Sequence, residues 1–206
     1  MRLKLVRVGV FAAAAAPFLR LVSVAATNQL GPDPARDVMH FTGEWSLRLL
    51  AITLCLSPLR QLGLWRYPFR FRRMLGLYTF FYATVHLVGF AQLYVGWDEA
   101  ILLEELVERP YIAAGFAAWV LMLPLAVTST RGWQRRLGRN WLKVHRLVYG
   151  AAIAGCLHLL WQARSDLGEA LVYGAIFAIL LGWRGWRRLW PGTPGKRPLS
   201  PGAESA

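Results

Sequence analysis

The sequence contains little cysteine and few acidic residues, and both shortages exclude classes of protein. Its two cysteines, Cys55 and Cys156, lie in apolar runs, and neither belongs to a CxxC pair or a CxxCH motif. A disulfide-stabilised fold and a covalently attached c-type heme are therefore excluded. The 206 residues include 24 Lys and Arg but only 11 Asp and Glu, which gives a formal net charge of +13.

A soluble catalytic domain is also missing from the sequence. No GxGxxG motif, P-loop or internal repeat is visible, and the stretches between apolar runs reach only about 16 residues. Hydrophobic residues make up 56% of the chain, and the mean hydropathy is +0.36. A nucleic-acid-binding protein would spread its basic residues over a modest apolar core, whereas here they cluster between long apolar runs. The composition therefore indicates an integral membrane protein.

Six apolar segments predict an all-α membrane protein, a six-helix bundle. A bilayer core of ~30 Å requires about 20 helical residues, and segments 74–97 and 110–130 reach that length without a formal charge. The weaker segments are 8–19 (to 26), 41–62, 147–163 and 170–183 (to 186). Within 41–62, Glu44 and Arg48 are four residues apart and are expected to pair on one helix face. The basic, apolar first segment also fits a signal peptide.

Basic residues predict the orientation of the bundle. Nineteen of the 24 lie at the N-terminus, at 60–73, at 131–146 and from Arg184 onward, so they fall on one side of the six-helix bundle. Since basic loops stay in the cytoplasm, both termini are predicted to be cytoplasmic. We expect residues 1–190 to form one membrane domain and residues 191–206 to form a short disordered tail.

Two of the four histidines are predicted to lie at the same depth in the membrane. His86 follows Arg73 by 13 residues and His158 follows Arg146 by 12, on two segments predicted to run outward. At 1.5 Å per residue their rings reach nearly the same level, where two imidazoles can bind one heme iron from opposite sides. The alternative for each histidine is a hydrogen bond between helices.

The other two histidines each have alternative roles. His145 precedes His158 by 13 residues, ~20 Å along a helix, which suits a second heme near the cytoplasmic surface or a solvated side chain. The matching depth on the third segment holds Arg72 and Arg73, which are candidates for contacts with heme propionates or simply part of the positive-inside pattern. His40 is a possible ligand, hydrogen-bonding residue or docking residue.

Several stretches of the sequence resemble one protein family. They are RDVMHFTG at 36–43, RRMLGLY at 72–78 with His86 following, RPY at 109–111, AVTST at 126–130 and RRLGRNWLKVHRLVY at 135–149. Over nearly the whole chain they resemble the MsrQ (YedZ) family, within the ferric-reductase-like transmembrane superfamily. That family is the heme-binding membrane subunit of the bacterial system that repairs oxidised methionines in periplasmic proteins.

The resemblance implies a cofactor set and partners. The heme-ligand histidines of the family fall on His86, His145 and His158, for one or two b-type hemes, and an FMN is also attributed to the family. Members sit in the bacterial inner membrane. They pass electrons from quinols or a cytoplasmic flavin reductase to a periplasmic molybdopterin-containing subunit that reduces methionine sulfoxide. Arginine in place of a fourth histidine departs from the two-heme pattern of the superfamily.

The resulting prediction is an electron-transfer subunit of an oxidoreductase complex, not its catalytic subunit. Its partners would be a donor, a periplasmic reductase subunit and membrane lipid, with no nucleic acid. One alternative is a stand-alone membrane cytochrome that reduces ferric iron or quinone. A second alternative is a non-redox transporter or assembly factor whose histidines serve packing, which would purify without colour.

Overall fold

The computed structural model describes residues 2–63, 68–163 and 167–190, and these ranges contain helices and their connections but no strand. In chain order the helices are α1 (Arg2–Ala26), α2 (Pro34–Gln61), α3 (Arg72–Phe90), α4 (Glu99–Glu108), α5 (Pro110–Val127), α6 (Arg131–Leu137), α7 (Arg139–Val144), α8 (Leu147–Gln162) and α9 (Gly168–Leu189). A 3₁₀ turn, Pro68–Phe71, precedes α3, and a π turn, Ala91–Val95, follows it. The predicted all-helical class is confirmed for the described part of the chain.

Four stretches of helix are long and apolar enough to cross a membrane. They are Lys4–Ala26, Arg72–Val95, Pro110–Val127 and Arg139–Gln162. The chain is therefore a multi-pass membrane protein. The predicted count of six would add α2 and α9, which carry more charged residues, and that count and the cytoplasmic termini stay predictions. The predicted tail at 191–206 lies outside the described residues.

Two helix pairs form the centre of the bundle. Helix α2 packs along α3, helix α5 packs along α8, and α3 also touches α5, while α9 packs against α8 and α2. Ala151 and Ala152 are almost completely buried on α8, and such small residues let membrane helices approach closely. Leu54 and Phe177 belong to the same buried cluster, which joins α2, α8 and α9.

The hydroxyl of Tyr82 joins α3 to α1 through hydrogen bonds. Tyr82 is fully buried, and its hydroxyl donates to the Ala14 carbonyl at 2.9 Å and accepts from the Phe18 amide at 2.9 Å. It therefore bridges two groups of α1 that would bond each other directly in a regular helix. Pro17 lies between them and has no backbone donor, which loosens the helix at this point.

Polar side chains begin the helices next to the histidine-bearing ends of α3 and α8. Asp33 accepts from the Arg36 amide at the start of α2, and Asp98 accepts from the Ala100 and Ile101 amides at the start of α4. These contacts satisfy amides that the first turn leaves unpaired. Helix α4 lies between the predicted segments 74–97 and 110–130, where the sequence predicts no helix.

Candidate functional site

The His86 ring lies between α3 and α2. Its Nδ1 atom is 3.0 Å from the Met39 carbonyl oxygen and 3.1 Å from Thr42 Oγ1, both on α2. Gly43 gives the ring its place, because a Cβ at that position would lie 3.1 Å from His86 Cε1. The side chain is thus held by one carbonyl, one hydroxyl and one glycine of the neighbouring helix.

The His158 ring lies between α8 and α5 in the same manner. Its Nδ1 atom is 2.7 Å from the Tyr111 carbonyl oxygen, and the Tyr111 ring lies beside it with centroids 6.1 Å apart. A Cβ on Gly115 would come within 2.7 Å of His158 Nδ1 and 3.0 Å of Cε1. Only a glycine leaves room for the imidazole at this point of α5.

These hydrogen bonds fix the form of both imidazoles. A carbonyl oxygen can only accept, so the Nδ1 atoms of His86 and His158 carry the proton and donate to Met39 and Tyr111. Thr42 donates its own proton to the Val38 carbonyl at 2.7 Å, so its oxygen can accept from His86 as a second partner. The Nε2 atoms then keep the lone pair, which is the form in which histidine binds a metal.

The two rings face each other across the bundle. Their centroids are 6.0 Å apart, with an angle of 86° between the ring planes. An imidazole nitrogen binds a metal ion at about 2 Å, so two rings on opposite sides of one ion have centroids about 6 Å apart. The two rings that the sequence predicts to lie at one depth are adjacent in the structure.

The donor set fits heme better than a bare metal ion. Within the described ranges no group of three or more His, Cys, Asp or Glu side chains could hold a metal. Two imidazoles alone leave most positions of an iron open, whereas a tetrapyrrole supplies four more nitrogens in one plane. The paired histidines would therefore suit an iron that is held by a macrocycle.

The two histidine sites repeat with the same spacing. The sequence separation from Met39 to His86 is 47 residues, and the separation from Tyr111 to His158 is also 47. Gly43 and Gly115 each follow their carbonyl by four residues. The carbonyl, the glycine and the histidine of the second site therefore each lie 72 residues after their counterparts in the first site. Sequence reasoning missed this repeat and both glycines, although the equal separations were a signal that could have revealed them.

His145 lies at the end of α7, away from that pair. Its ring stacks on Trp141 with centroids 3.9 Å apart, and its Nδ1 atom is 3.2 Å from the Trp141 carbonyl. The helix breaks between α7 and α8 at this residue, so His145 and His158 do not share one continuous helix.

The predicted arginines differ in their surroundings. Arg72 is half-buried and interacts electrostatically with His145, whereas Arg73 is exposed. Arg184 on α9 was not among the predicted site residues, yet it is half-buried and lies over the Tyr149 ring at 5.4 Å. Its guanidinium donates to the Leu54 carbonyl at 2.5 Å and to the Leu180 carbonyl at 3.1 Å.

His40 lies apart from the histidine pair. Its Nε2 atom is 3.3 Å from Glu169 Oε2, and both side chains are exposed. The structure therefore joins the beginnings of α2 and α9 through His40, and it does not bring this histidine to the His86 and His158 rings. The predicted pairing of Glu44 with Arg48 on one face of α2 is confirmed.

Comparison with known proteins assigns the chain to a protein family. The model of the ferric reductase like transmembrane component matches residues 42–156. Curated relatives named protein-methionine-sulfoxide reductase heme-binding subunit MsrQ include one from Xanthomonas oryzae pv. oryzae (strain MAFF 311018), 49% identical over 87% of this chain and 85% of its own length. One from Xanthomonas campestris pv. campestris (strain B100) is 52% identical over 79% of this chain and 75% of its own.

A relative from another genus carries the same name. The relative from Ralstonia nicotianae (strain ATCC BAA-1114 / GMI1000) is 46% identical over 93% of this chain and 89% of its own length. No solved structure matches the chain. The matched region 42–156 includes Gly43, His86, Gly115 and His145, whereas His158 lies two residues beyond it.

Proposed function

Because the chain belongs to the MsrQ family of heme-binding subunits, among the ferric reductase-like transmembrane components, we propose that it is a b-type heme membrane subunit of a methionine sulfoxide reductase system. It would carry electrons to a periplasmic, molybdopterin-containing subunit that reduces methionine sulfoxide in oxidised proteins. The relatives named above support the system, and the absence of a CxxCH motif supports noncovalent heme.

His86 and His158 are the residues that would hold the iron of one heme. The single observation that carries this assignment is the approach of the two rings to 6.0 Å, each with Nδ1 turned to a backbone carbonyl. The heme iron, when bound, supplies a one-electron ferric/ferrous couple. Met39 and Tyr111 hold the imidazoles in the orientation that presents Nε2, while Gly43 and Gly115 leave room for the rings.

His145 is proposed as a ligand of a second heme. Arg72 lies near enough to interact with it, and Arg72 and Arg73 are the proposed propionate contacts. The chain would then hold one or two hemes, depending on whether the His145 site is filled. For FMN the support is the family resemblance alone, and no described residue is proposed as its ligand.

The proposed topology places this subunit in the bacterial inner membrane with six spans and cytoplasmic termini. Helix α2 has 28 residues and its Glu44–Arg48 pair lowers the cost of two charges in a span, while α9 has 22 residues. The nineteen basic residues on one side support the orientation. The electron donor would be a quinol or a cytoplasmic flavin reductase, and the catalysis would belong to the partner subunit.

A pyridine hemochrome assay with a reduced-minus-oxidised spectrum tests the proposal on detergent-purified protein. We expect b-type heme, with a ratio near one per chain if the His86–His158 site alone is filled and near two if the His145 site is filled too. His86→Ala and His158→Ala should each lower heme at their shared site by about tenfold or more. His145→Ala should affect only the second heme.

His40→Ala is the matched control, because His40 is exposed and contacts Glu169 rather than the histidine pair. Its heme content should equal that of the wild type. Colourless wild-type protein would overturn the whole proposal, and full heme in both the His86 and His158 variants would overturn the ligand assignment. Turnover of ferric chelates by the purified subunit without a partner would instead favour a stand-alone cytochrome.

A further inference from the structure

Helices α2 and α9 contact each other in two places and leave a groove beside the first. Near the beginnings of both helices, His40 Nε2 lies 3.3 Å from Glu169 Oε2. Further along, Arg184 on α9 donates to the Leu54 carbonyl of α2 at 2.5 Å. The groove has a volume of about 630 Å³ and is lined from 44–52 on α2 and from 168–176 on α9. It therefore begins at the first contact and ends before the second.

The groove changes from polar to apolar along its length. Glu44 and Glu169 line its first part, near the beginnings of the two helices. Ile52 on α2 and Ile176 on α9 line the part further along both helices. The change has the same direction on both walls, because the first turns of the two helices lie side by side. A molecule that fits the groove therefore has a polar end and an apolar end.

Ionisable side chains recur at every fourth position near the start of α2. They are Arg36, His40, Glu44 and Arg48. The next position in this series is Ile52, and residues four apart lie on one face of a helix. The first three of the series, together with Asp37 and Phe41, line a polar cleft of about 420 Å³. Because Glu44 lines both the cleft and the groove, the cleft adjoins the polar end of the groove.

The charges follow a definite order along this surface. Beyond Arg36 at the exposed end of the cleft, the acidic groups come first, and these are Asp37, Glu44 and Glu169. The guanidinium of Arg48 follows Glu44 by four residues, about 6 Å along the helix axis. The apolar walls come last. A matching ligand therefore carries a positive group, then a negative group, and then a hydrocarbon chain.

Glu44 and Arg48 pair with each other and keep groups for a ligand. Their contact joins one carboxylate oxygen to one terminal nitrogen of the guanidinium. A carboxylate has two acceptor oxygens and a guanidinium has five N–H donors. Both side chains line the groove, Arg48 is 41% exposed, and the Trp45 ring lies under its guanidinium at 5.1 Å. The pair can therefore bind a cation and an anion together without separating.

We propose that the groove binds one phosphatidylethanolamine molecule, with its ammonium at Glu44, its phosphate at Arg48 and an acyl chain along Ile52 and Ile176. In this lipid two carbons join the ammonium to the phosphate, which suits two side chains one helical turn apart. The inference rests on the proposed topology, in which α2 and α9 cross the membrane and begin at its outer surface. The lipid would connect α2 and α9 between their two direct contacts.

Three other membrane molecules match the surface less well. A quinol head group is uncharged, so it forms no ionic interaction with either sign of charge. Phosphatidylglycerol carries a phosphate but no cation for the acidic groups. Phosphatidylcholine has a trimethylated ammonium, which cannot donate a hydrogen bond to a carboxylate. The primary ammonium of phosphatidylethanolamine supplies both the positive charge and N–H donors, and such charge-assisted hydrogen bonds are the strong ones.

Photocrosslinking in nanodiscs tests the proposal. The probes are phosphatidylethanolamine, phosphatidylcholine and phosphatidylglycerol with the same diazirine in one acyl chain, each present at a low fraction in unlabelled phosphatidylcholine. Mass spectrometry identifies the crosslinked peptides of the purified full chain. The assay needs neither heme nor turnover, so its result is independent of the proposed electron transfer.

Two variants and two matched controls separate the head-group site from the acyl-chain site. Glu44→Gln keeps the shape of the side chain but removes its negative charge, and Glu104→Gln changes an exposed glutamate outside the groove. Ile52→Trp fills the apolar part of the groove. Ile179→Trp is its control, because Ile179 is 71% exposed and does not line the groove.

We expect phosphatidylethanolamine to crosslink within 44–52 and 168–176 about tenfold more strongly than the other two lipids, because its ammonium is bonded to a charged group. Glu44→Gln should remove this preference and leave crosslinking by phosphatidylcholine unchanged. Ile52→Trp should lower crosslinking in the groove by all three lipids about tenfold, since the indole occupies the site of the chain. Both controls should stay within about twofold of the wild type.

Four outcomes would overturn the proposal. Equal crosslinking by the three lipids, or an unchanged preference in the Glu44→Gln variant, would contradict the head-group assignment. Competition by a short-chain ubiquinone but not by unlabelled phosphatidylethanolamine would assign the groove to a quinone. Crosslinks on α2 and α9 only outside the two ranges would exclude the groove but keep both helices in the membrane. Crosslinks on α3 and α5 with none on α2 or α9 would exclude the two proposed spans as well.

Discussion

The helix pairs α2–α3 and α5–α8 hold their histidines by the same plan but with different means. In both, the first helix offers a carbonyl and, four residues later, a glycine, and the second helix brings a histidine 47 residues after the carbonyl. The first pair adds Thr42 as a second acceptor for His86, and the matching position 114 in the second pair is alanine.

The difference shows two ways to position one ring. His158 Nδ1 contacts the Tyr111 carbonyl at the shorter distance of 2.7 Å, and Gly115 approaches the His158 ring more closely than Gly43 approaches that of His86. His158 is thus positioned mainly by close packing, whereas His86 is positioned by two hydrogen bonds with a little more space. Substitutions that add atoms next to the imidazole should therefore lower heme binding more in the second pair than in the first.

The largest expected effect is that of Gly115→Ala. The new Cβ would lie 2.7 Å from His158 Nδ1, so the imidazole must move and heme bound per folded chain should fall by about tenfold or more. Gly43→Ala, with a nearest approach of 3.1 Å, should lose less. Pyridine hemochrome assays on monodisperse protein give the ratio.

Gly174→Ala is the control for this pair, because a Cβ there meets nothing within 4 Å. It should keep wild-type heme. An equal loss of heme in the Gly43 and Gly115 variants would contradict the view that packing matters more around His158.

An intermediate effect is expected at the attachment of the first pair to α1. Tyr82→Phe removes the hydroxyl that donates to Ala14 and accepts from Phe18, and so removes two hydrogen bonds between α1 and α3 that contribute about 0.6 kcal/mol each on average in membrane proteins. The second pair has Ala154 at the matching position, 72 residues later, and so lacks this hydroxyl. We expect faster amide hydrogen exchange in α1 and a lower melting temperature, with heme content retained.

Tyr78→Phe provides the comparison, since the Tyr78 ring packs on Phe11 at 5.5 Å and both rings survive the change. It should leave hydrogen exchange in α1 close to that of the wild type. If the Tyr82 and Tyr78 variants behave alike, the hydroxyl is not what fastens α1.

The smallest effect should come from making the first pair more like the second. Thr42→Ala leaves Met39 as the remaining acceptor on His86, and hydrogen bonds between membrane helices contribute about 0.6 kcal/mol on average, or roughly threefold in heme affinity. Titration of apo-protein with hemin measures this change. Thr42→Ser keeps the hydroxyl and should behave as the wild type, so a similar loss in both variants would point to packing instead.

Part of the site could be predicted from the sequence because charges mark helix ends. The last basic residue before each helix gives a starting depth, and the constant helical rise then places His86 and His158 at one level. The ion pair of Glu44 and Arg48 followed from helical spacing alone. Each of these predictions used a regular period and a residue with distinctive side-chain chemistry.

The rest of the site depended on groups without such a signal. In the sequence, nothing distinguishes the backbone carbonyls of Met39 and Tyr111 from those of any other residue. A glycine inside a helix likewise does not indicate which ring packs on it. The break at His145 arises where the short helix α7 meets α8, although 139–162 reads as one apolar span. Arg184 contacts carbonyls of α2 and α9, and only the packing of distant segments reveals this.

The order of the paired helices has a consequence for biogenesis. Each histidine lies on the later helix of its pair, so in both cases the ribosome synthesises the carbonyl and the glycine before the histidine. His158 arrives only with α8, so a nascent chain that ends earlier presents the first imidazole of the proposed heme site without the second. On the proposed ligand assignment, stable heme capture would be a late step of membrane insertion, and mutations that delay α8 would expose a half-built site to degradation.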